Sequence, residues 1–233
     1  MHIPYLASTM KVKLFLLSLC FAFTTVAQAQ SKKFNQPLAD SLAKWVIVDQ
    51  LAAKVPEGAM KDWSQERWYK YKDSVFSTHQ QLLAKVFKQY GYPGYDLVGK
   101  QGSNNFWLMV QHCDKTPAFQ QQVLDAMKVE LAKNNADGKN YAYLIDRVNL
   151  NTGKKQLFGT QLRYNTDSCQ ALPRPMADSL TVNERRKAVG LEPIEEYLNW
   201  MSQFHFDMNK ESYEKRGITK PKLIKTPKEQ SGS

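Results

Sequence analysis

His112 and Asp146 are the side chains best suited to acid–base catalysis. An imidazole that is held by a carboxylate through one ring nitrogen can act as a general base through the other, near neutral pH. Asp146, or alternatively Asp114, is expected to hold His112 in this way. One candidate function is therefore a small hydrolase in which His112 is the base and Asp146 orients it.

Arg147 is the side chain best suited to bind an anion. Its planar guanidinium can pair with a carboxylate or phosphate, and the neutral side chains of Gln111, Thr160 and Gln161 can add hydrogen bonds. These residues predict a non-enzymatic binding or interaction module for a polar or anionic ligand. We take this module as the leading expectation and the hydrolase as the alternative.

The same residues also have a purely structural explanation. His112 would then interact with the carbonyl end of its helix, and Asp146 would pair with Arg147 to join neighbouring elements. The sequence contains neither a GxSxG serine motif nor a glycine-rich phosphate-binding loop. We therefore expect no nucleotide and no other cofactor.

The first 29 residues have the pattern of a secretory signal peptide. Two lysines precede thirteen uncharged, mostly apolar residues, 14–26, and small residues follow at positions 27 and 29. We predict cleavage after Ala29 and export to the periplasm or the exterior, whether translation starts at Met1 or Met10. The apolar run is shorter than the roughly 20 residues that span a bilayer, so no transmembrane segment is expected after cleavage.

Cys113 and Cys169 are the two cysteines that remain after the predicted cleavage. An even number in an exported protein is compatible with a Cys113–Cys169 disulfide. Two buried, reduced thiols are the open alternative. No cysteine or histidine spacing is typical of a metal site, so no metal is expected.

Basic charge is concentrated near the C-terminus. The full chain has a net charge of +10, and loss of the two lysines in residues 1–29 leaves 10 − 2 = +8. Residues 209–233 contain seven Lys or Arg and three Asp or Glu, 7 − 3 = +4, so half of that charge lies in a tail that we predict to be disordered. Such a tail favours an anionic envelope polymer or a membrane surface as partner, whereas export makes nucleic acid unexpected.

Apolar spacing predicts a mainly α-helical (α+β) domain over residues 30–208. Helices are predicted at 37–54, along an apolar stripe at 75–90, and from residues 103, 117, 181 and 193. His79 falls on the apolar stripe and is expected to be a hydrogen-bonded core residue. A turn at Gly153 predicts one antiparallel β-hairpin, with strands at about 147–151 and 155–162.

Several short motifs resemble a bacterial domain-of-unknown-function family. The motifs are Gln111-His112, Ala142-Tyr143-Leu144 followed by Asp146-Arg147-Val148, and Gly159-Thr160-Gln161. The resemblance covers about residues 90–200 and implies one shared domain without implying an activity. Family members often have alanine where this sequence has Cys113, so the resemblance implies no shared role for that thiol.

Overall fold

The computed structural model describes residues 33–226, which form eight α-helices, one short 3-10 helix (Gly58–Met60) and one β-hairpin. The mainly α-helical prediction with a small hairpin is thereby confirmed. In chain order the elements are α1 (Gln36–Ala53), α2 (Gln65–Tyr90), α3 (Tyr95–Val110), α4 (Pro117–Leu131), α5 (Gly138–Asn151), β1 (Leu162–Asn165), β2 (Gln170–Pro173), α6 (Val182–Ala188), α7 (Ile194–Met208) and α8 (Lys210–Glu214).

The main hydrophobic core lies among α1 to α5. Each of these helices contributes an apolar side chain that has no solvent exposure, and removal of such surface from water stabilises by about 1.5–3 kcal/mol per side chain. These five residues are Leu42, Leu83, Phe106, Val123 and Leu144. The apolar stripe predicted at 75–90 forms the buried face of α2, and His79 is buried on it, as expected.

Polar caps fix where three of these helices begin. Asn35 Oδ1 accepts a hydrogen bond from Leu38 N at 3.1 Å, and Ser64 Oγ accepts one from Arg67 N at 3.2 Å. Asp137 Oδ1 accepts hydrogen bonds from the first turn of α5 at 2.8 and 3.1 Å. Each cap satisfies a backbone N–H that has no partner inside its helix.

The position predicted for the β-hairpin is wrong. Residues 138–151 form α5 without interruption, and the hairpin follows it, with Leu162 opposite Pro173 and Asn165 opposite Gln170. The buried residues of α5 alternate along the sequence because the helix is covered on two sides. Leu144 faces the main core, whereas Ala142 packs in a smaller cluster with Phe158 and Leu191.

Residues 209–226 have defined structure, so the prediction of a disordered tail is wrong for this part of the chain. Tyr213 of α8 is buried, and Lys222 N donates a hydrogen bond to Ser168 O at 2.9 Å. The Asn199 side chain bonds both the N–H and the carbonyl of Ile224, at 2.9 and 2.8 Å. These bonds fasten the segment to α7 and to the hairpin turn.

The predicted signal peptide and the last seven residues of the predicted tail lie outside the described residues. Within residues 33–226, no helix is long and apolar enough to cross a membrane.

Candidate functional site

His112 lines a cavity of about 470 Å³ at the end of α3. The cavity wall comes from the end of α1, the middle of α2, the turn after α3 and one residue of α5. Its lining residues are Ala53, Lys72, Asp73, Phe76, Ser77, Gln80, Gln81, the run from His112 to Thr116, and Arg147. His112 and Arg147, which the sequence placed in one site, are therefore brought to the same cavity.

The carboxylate that holds His112 belongs to Asp49 of α1, not to Asp146 or Asp114. His112 Nδ1 lies 2.6 Å from Asp49 Oδ2, and the Asp49 side chain has no solvent exposure. The His112 side chain retains 18% exposure. Because Nδ1 is engaged by Asp49, Nε2 is the ring nitrogen that remains for chemistry in the cavity.

Asp49 also binds a second histidine. Its Oδ1 lies 3.2 Å from Nδ1 of the buried His79, and its Oδ2 accepts a further hydrogen bond from Gln50 at 3.1 Å. Burial by itself raises the pKa of Asp49, but the hydrogen bonds and positive charge of His112 and His79 outweigh it and hold that pKa below its usual value. Asp49 is therefore a carboxylate at neutral pH. No group of three or more His, Cys, Asp or Glu in residues 33–226 is arranged to hold a metal ion.

The Phe76 ring contacts both an imidazole and an ammonium group. Its centroid lies 4.7 Å from that of His112, with the two rings 24° from parallel. The Lys72 ammonium lies 5.9 Å from the same Phe76 centroid. The cavity thus combines an apolar ring face with two groups that can interact with a negative charge.

Arg147 is engaged by Asp114 instead of by its sequence neighbour Asp146. Two parallel hydrogen bonds of 2.7 Å join the guanidinium to the Asp114 carboxylate, and Asn151 adds one of 2.8 Å. Burial raises the pKa of Asp114, but the hydrogen bonds and charge of Arg147 outweigh it, so the net pKa is below the usual value. Arg147 therefore enters the cavity wall as half of an ion pair.

Lys72 differs from the other two cationic residues of the cavity wall. Lys115 forms an ion pair with Asp73, as Arg147 does with Asp114. Lys72 takes part in none of the ion pairs that the structure shows within residues 33–226. Its charge is therefore the one in this wall that is not balanced by a contacting carboxylate.

Asp146 has a structural role that the sequence did not reveal. Its buried carboxylate accepts hydrogen bonds from the backbone N–H groups of Leu157, Phe158 and Thr160, at 2.6 to 3.2 Å, and from the Thr160 hydroxyl at 2.9 Å. Arg186, also fully buried, donates to Phe158 O at 2.7 Å. The two charged groups fix the loop between α5 and β1, so the assignment of Asp146 as the partner of His112 is wrong.

The other predicted ligand-binding residues do not line the described cavity. Thr160 is buried against Asp146, and its carbonyl accepts a hydrogen bond from Tyr197 at 2.9 Å. Gln161 N donates to the Gln156 side chain at 2.9 Å. Gln111 is buried beside His112 but is absent from the lining. The Gly-Thr-Gln run is therefore part of the loop that Asp146 holds.

Cys113 and Cys169 are both free and buried, which agrees with the alternative of two reduced thiols and not with a Cys113–Cys169 disulfide. Cys113 packs in the main core, whereas Cys169 packs in a separate cluster with Phe206 and Tyr213. Cys113 also lines the cavity, but burial, together with the negative charges of Asp49 and Asp114, raises its thiol pKa to about 12. A thiol with this pKa is protonated at neutral pH and is a poor nucleophile.

Sequence reasoning missed Asp49, Lys72 and Phe76. Asp49 carried a usable signal, because it occupies the buried face of α1 together with Leu38, Leu42 and Ala52. A carboxylate on an apolar face requires a partner, and His79 occupies the apolar face of the next α-helix. Lys72 and Phe76 carried no such signal, since nothing in the sequence distinguishes a lysine beside a cavity from one in open solvent.

A family comparison supports a shared domain that includes most of this site. The model of a family of unknown function, DUF6624, matches residues 70–206, which is more than half of the chain. No curated protein and no solved structure matches the chain. The matched range includes His79, His112 and Arg147, whereas Asp49 precedes it. The chain therefore belongs to DUF6624, a family of unknown function.

Proposed function

We propose that the cavity binds a small organic anion. The carboxylate group of this ligand would lie near Lys72 and His112. The observation that carries this proposal is the contact of one Phe76 ring with both the Lys72 ammonium and the His112 imidazole. An apolar ring face next to a cation suits a ligand with a flat apolar body and one negative charge. A volume of about 470 Å³ is within the usual range for small-molecule sites.

The ion pairs around the cavity support a preference for an anionic ligand over a neutral one. Arg147 and Lys115 are each balanced by a carboxylate, so they shape the wall without adding net charge. Lys72 supplies a positive charge that no contacting carboxylate in the wall balances. A neutral ligand of the same shape would leave this charge without a counter-ion, which lowers its affinity relative to the anion.

Calorimetric titration with benzoate and its neutral analogue benzamide tests this function. We expect benzoate to bind more tightly than benzamide, and Lys72→Gln to weaken benzoate binding about tenfold, because a charge-assisted contact is lost. Lys85→Gln, which changes an exposed lysine on the same helix outside the cavity wall, should bind as the wild type does. Equal affinities for the two probes, or equal effects of the two substitutions, would contradict the proposal.

A hydrolase is the second candidate, favoured by the 2.6 Å contact between His112 and Asp49. Nε2 of His112 would take a proton from a water molecule as that water attacks a bound ester, and would return the proton to the departing alkoxide. Asp49 would be the positioning residue in place of Asp146. Hydrolysis of p-nitrophenyl acetate should then fall on the order of a hundredfold in His112→Gln. Equal rates in the folded variant and the wild type would remove this candidate.

We further propose that the protein acts outside the cytoplasm, because residues 1–29 have the pattern of a signal peptide. Mass spectrometry of the protein isolated from its native cells should find Gln30 as the first residue. A chain that retains residues 1–29 in the soluble cell fraction would contradict export.

A further inference from the structure

The solvent-facing side of α7 carries a stripe of large apolar side chains. Trp200, Phe204 and Met208 recur every four residues and are 61%, 47% and 64% exposed. The Trp200 and Phe204 rings stack with centroids 5.7 Å apart and planes 16° from parallel. Residues four apart share a helix face, so the three side chains form one continuous apolar strip. Such a strip in contact with water is typical of an interaction surface.

The chain that follows α7 is strongly basic and returns to the same helix. Residues 209–226 contain six Lys or Arg and two Glu, 6 − 2 = +4. Both glutamates belong to α8 and lie in ion pairs, Glu214 with Lys210 at 3.8 Å and Glu211 with Lys215, the residue after the helix, at 2.6 Å. The excess positive charge is therefore carried by the remainder of the segment.

Residues 209–226, which we call the returning segment, are fastened to α7 next to the apolar strip. Asn199 holds both backbone groups of Ile224, and Asn199 immediately precedes Trp200. Leu223 of this segment is 53% exposed, and the side chains of Lys220 and Lys222 are exposed as well. Asp207 is an exposed acidic residue of α7 near the strip and accepts a hydrogen bond from Gln203 at 2.9 Å, and the half-buried Glu196 lies four residues before Trp200.

We propose that the strip and the returning segment together form a docking surface for an anionic phospholipid bilayer. We call this surface, made of Trp200, Phe204, Met208 and residues 220–223, the α7 surface. Tryptophan is favoured at the boundary between headgroups and acyl chains, and each lysine near an anionic bilayer adds attraction. In this contact the apolar side chains of the α7 surface would lie at the boundary between headgroups and acyl chains.

Charge favours a bilayer over a second copy of the chain as the partner. A two-fold contact between copies would place the same surface on both sides, so two basic segments would be brought into one interface. Like charges in close contact oppose association. The α7 surface shares none of its residues with the wall of the His112 cavity, so this inference is independent of the proposed ligand.

Co-sedimentation of the full chain with phospholipid vesicles tests the inference. We expect binding to vesicles that contain phosphatidylglycerol, little binding to pure phosphatidylcholine vesicles, and a decrease in binding with added salt. Trp200→Ser with Phe204→Ser should weaken binding at least tenfold, and Lys220→Gln with Lys222→Gln should weaken it about fivefold for each lysine lost.

Matched controls use exposed residues away from the α7 surface. Leu180→Ser changes a 95% exposed apolar side chain, and Lys154→Gln with Lys155→Gln removes two exposed lysines. These variants should bind as the wild type does. The inference is overturned if the wild type binds both vesicle types equally or neither, or if the controls lose as much binding as the α7 variants. A dimer that Trp200→Ser dissociates, without vesicle binding, would also overturn it.

Discussion

Asp146 and Arg147 are adjacent in the sequence, but they serve different parts of the molecule. The Asp146 carboxylate is buried and holds the backbone of the 157–160 loop, whereas Arg147 forms an ion pair with Asp114 at the cavity wall. Adjacent helical residues point about 100° apart, so one reaches the loop and the other the cavity. A sequence pair of opposite charge is therefore poor evidence for a contact within a helix.

We expect the two residues to differ sharply in their contribution to stability. Asp146→Ala leaves several buried N–H groups without an acceptor and should lower the free energy of unfolding by about 4 kcal/mol. Arg147→Ala removes an ion pair whose side chains are 29% and 44% exposed and should cost about 1 kcal/mol or less. Urea denaturation measures both values. Similar losses of unfolding free energy in the two variants would show that the hydrogen bonds of Asp146 do not stabilise the protein more than the Arg147 ion pair does.

At the scale of the element, the loop between α5 and β1 is packed closely against α7. Gly159 has a φ of 71°, and a Cβ there would lie 2.5 Å from Ile194 Cδ1 and 2.8 Å from Met176 Sδ. The glycine is needed both for its backbone conformation and for the absence of a side chain. The Gly-Thr-Gln motif found in the sequence therefore reflects packing of this loop.

Gly159→Ala should destabilise the protein by about 3 kcal/mol. The strain of an alanine at positive φ adds to the steric overlap of its Cβ with Ile194 and Met176. Gly153→Ala is a matched control, since its φ of 76° is similar but nothing lies within 4 Å of its Cβ position. That control should cost only about 1 kcal/mol. Thermal or urea unfolding compares the two, and equal costs would mean that the contacts with Ile194 and Met176 relax freely.

Helix positions were more predictable than the hairpin, although α2 and α3 begin at Gln65 and Tyr95, before the starts predicted at residues 75 and 103. The long α2 has a clear apolar stripe and both of its ends are marked, by Ser64 at the start and by Gly91 at the end. The hairpin was misplaced because the turn at Gly153 follows the end of α5 instead of joining two strands, and because Val148 and Leu150, in a helix that is buried on a second side as well, alternate as they would in a strand. That second side is formed by residues distant in sequence, which local patterns do not contain.

At the scale of the whole molecule, the candidate site is assembled from four helices that are separated in sequence. Asp49 comes from α1, Lys72 and Phe76 come from α2, His112 follows α3, and Arg147 comes from α5. His112 and Arg147 could be selected from the sequence by residue type. Their true partners could not, because packing of α1 against α2 and α3 brings Asp49 to His112, and only the tertiary structure specifies this packing.

We propose that a small anion binds in the cavity against the His112 ring, which Asp49 orients. Nitrogen-15 NMR of the protein with labelled histidine, recorded during addition of benzoate, is a direct test of this binding. We expect the His112 Nε2 signal to move, and we expect this movement to be retained in Lys85→Gln but much reduced in Lys72→Gln. Benzoate binding that leaves the signals of both His112 ring nitrogens unchanged would show that the anion does not lie against this ring.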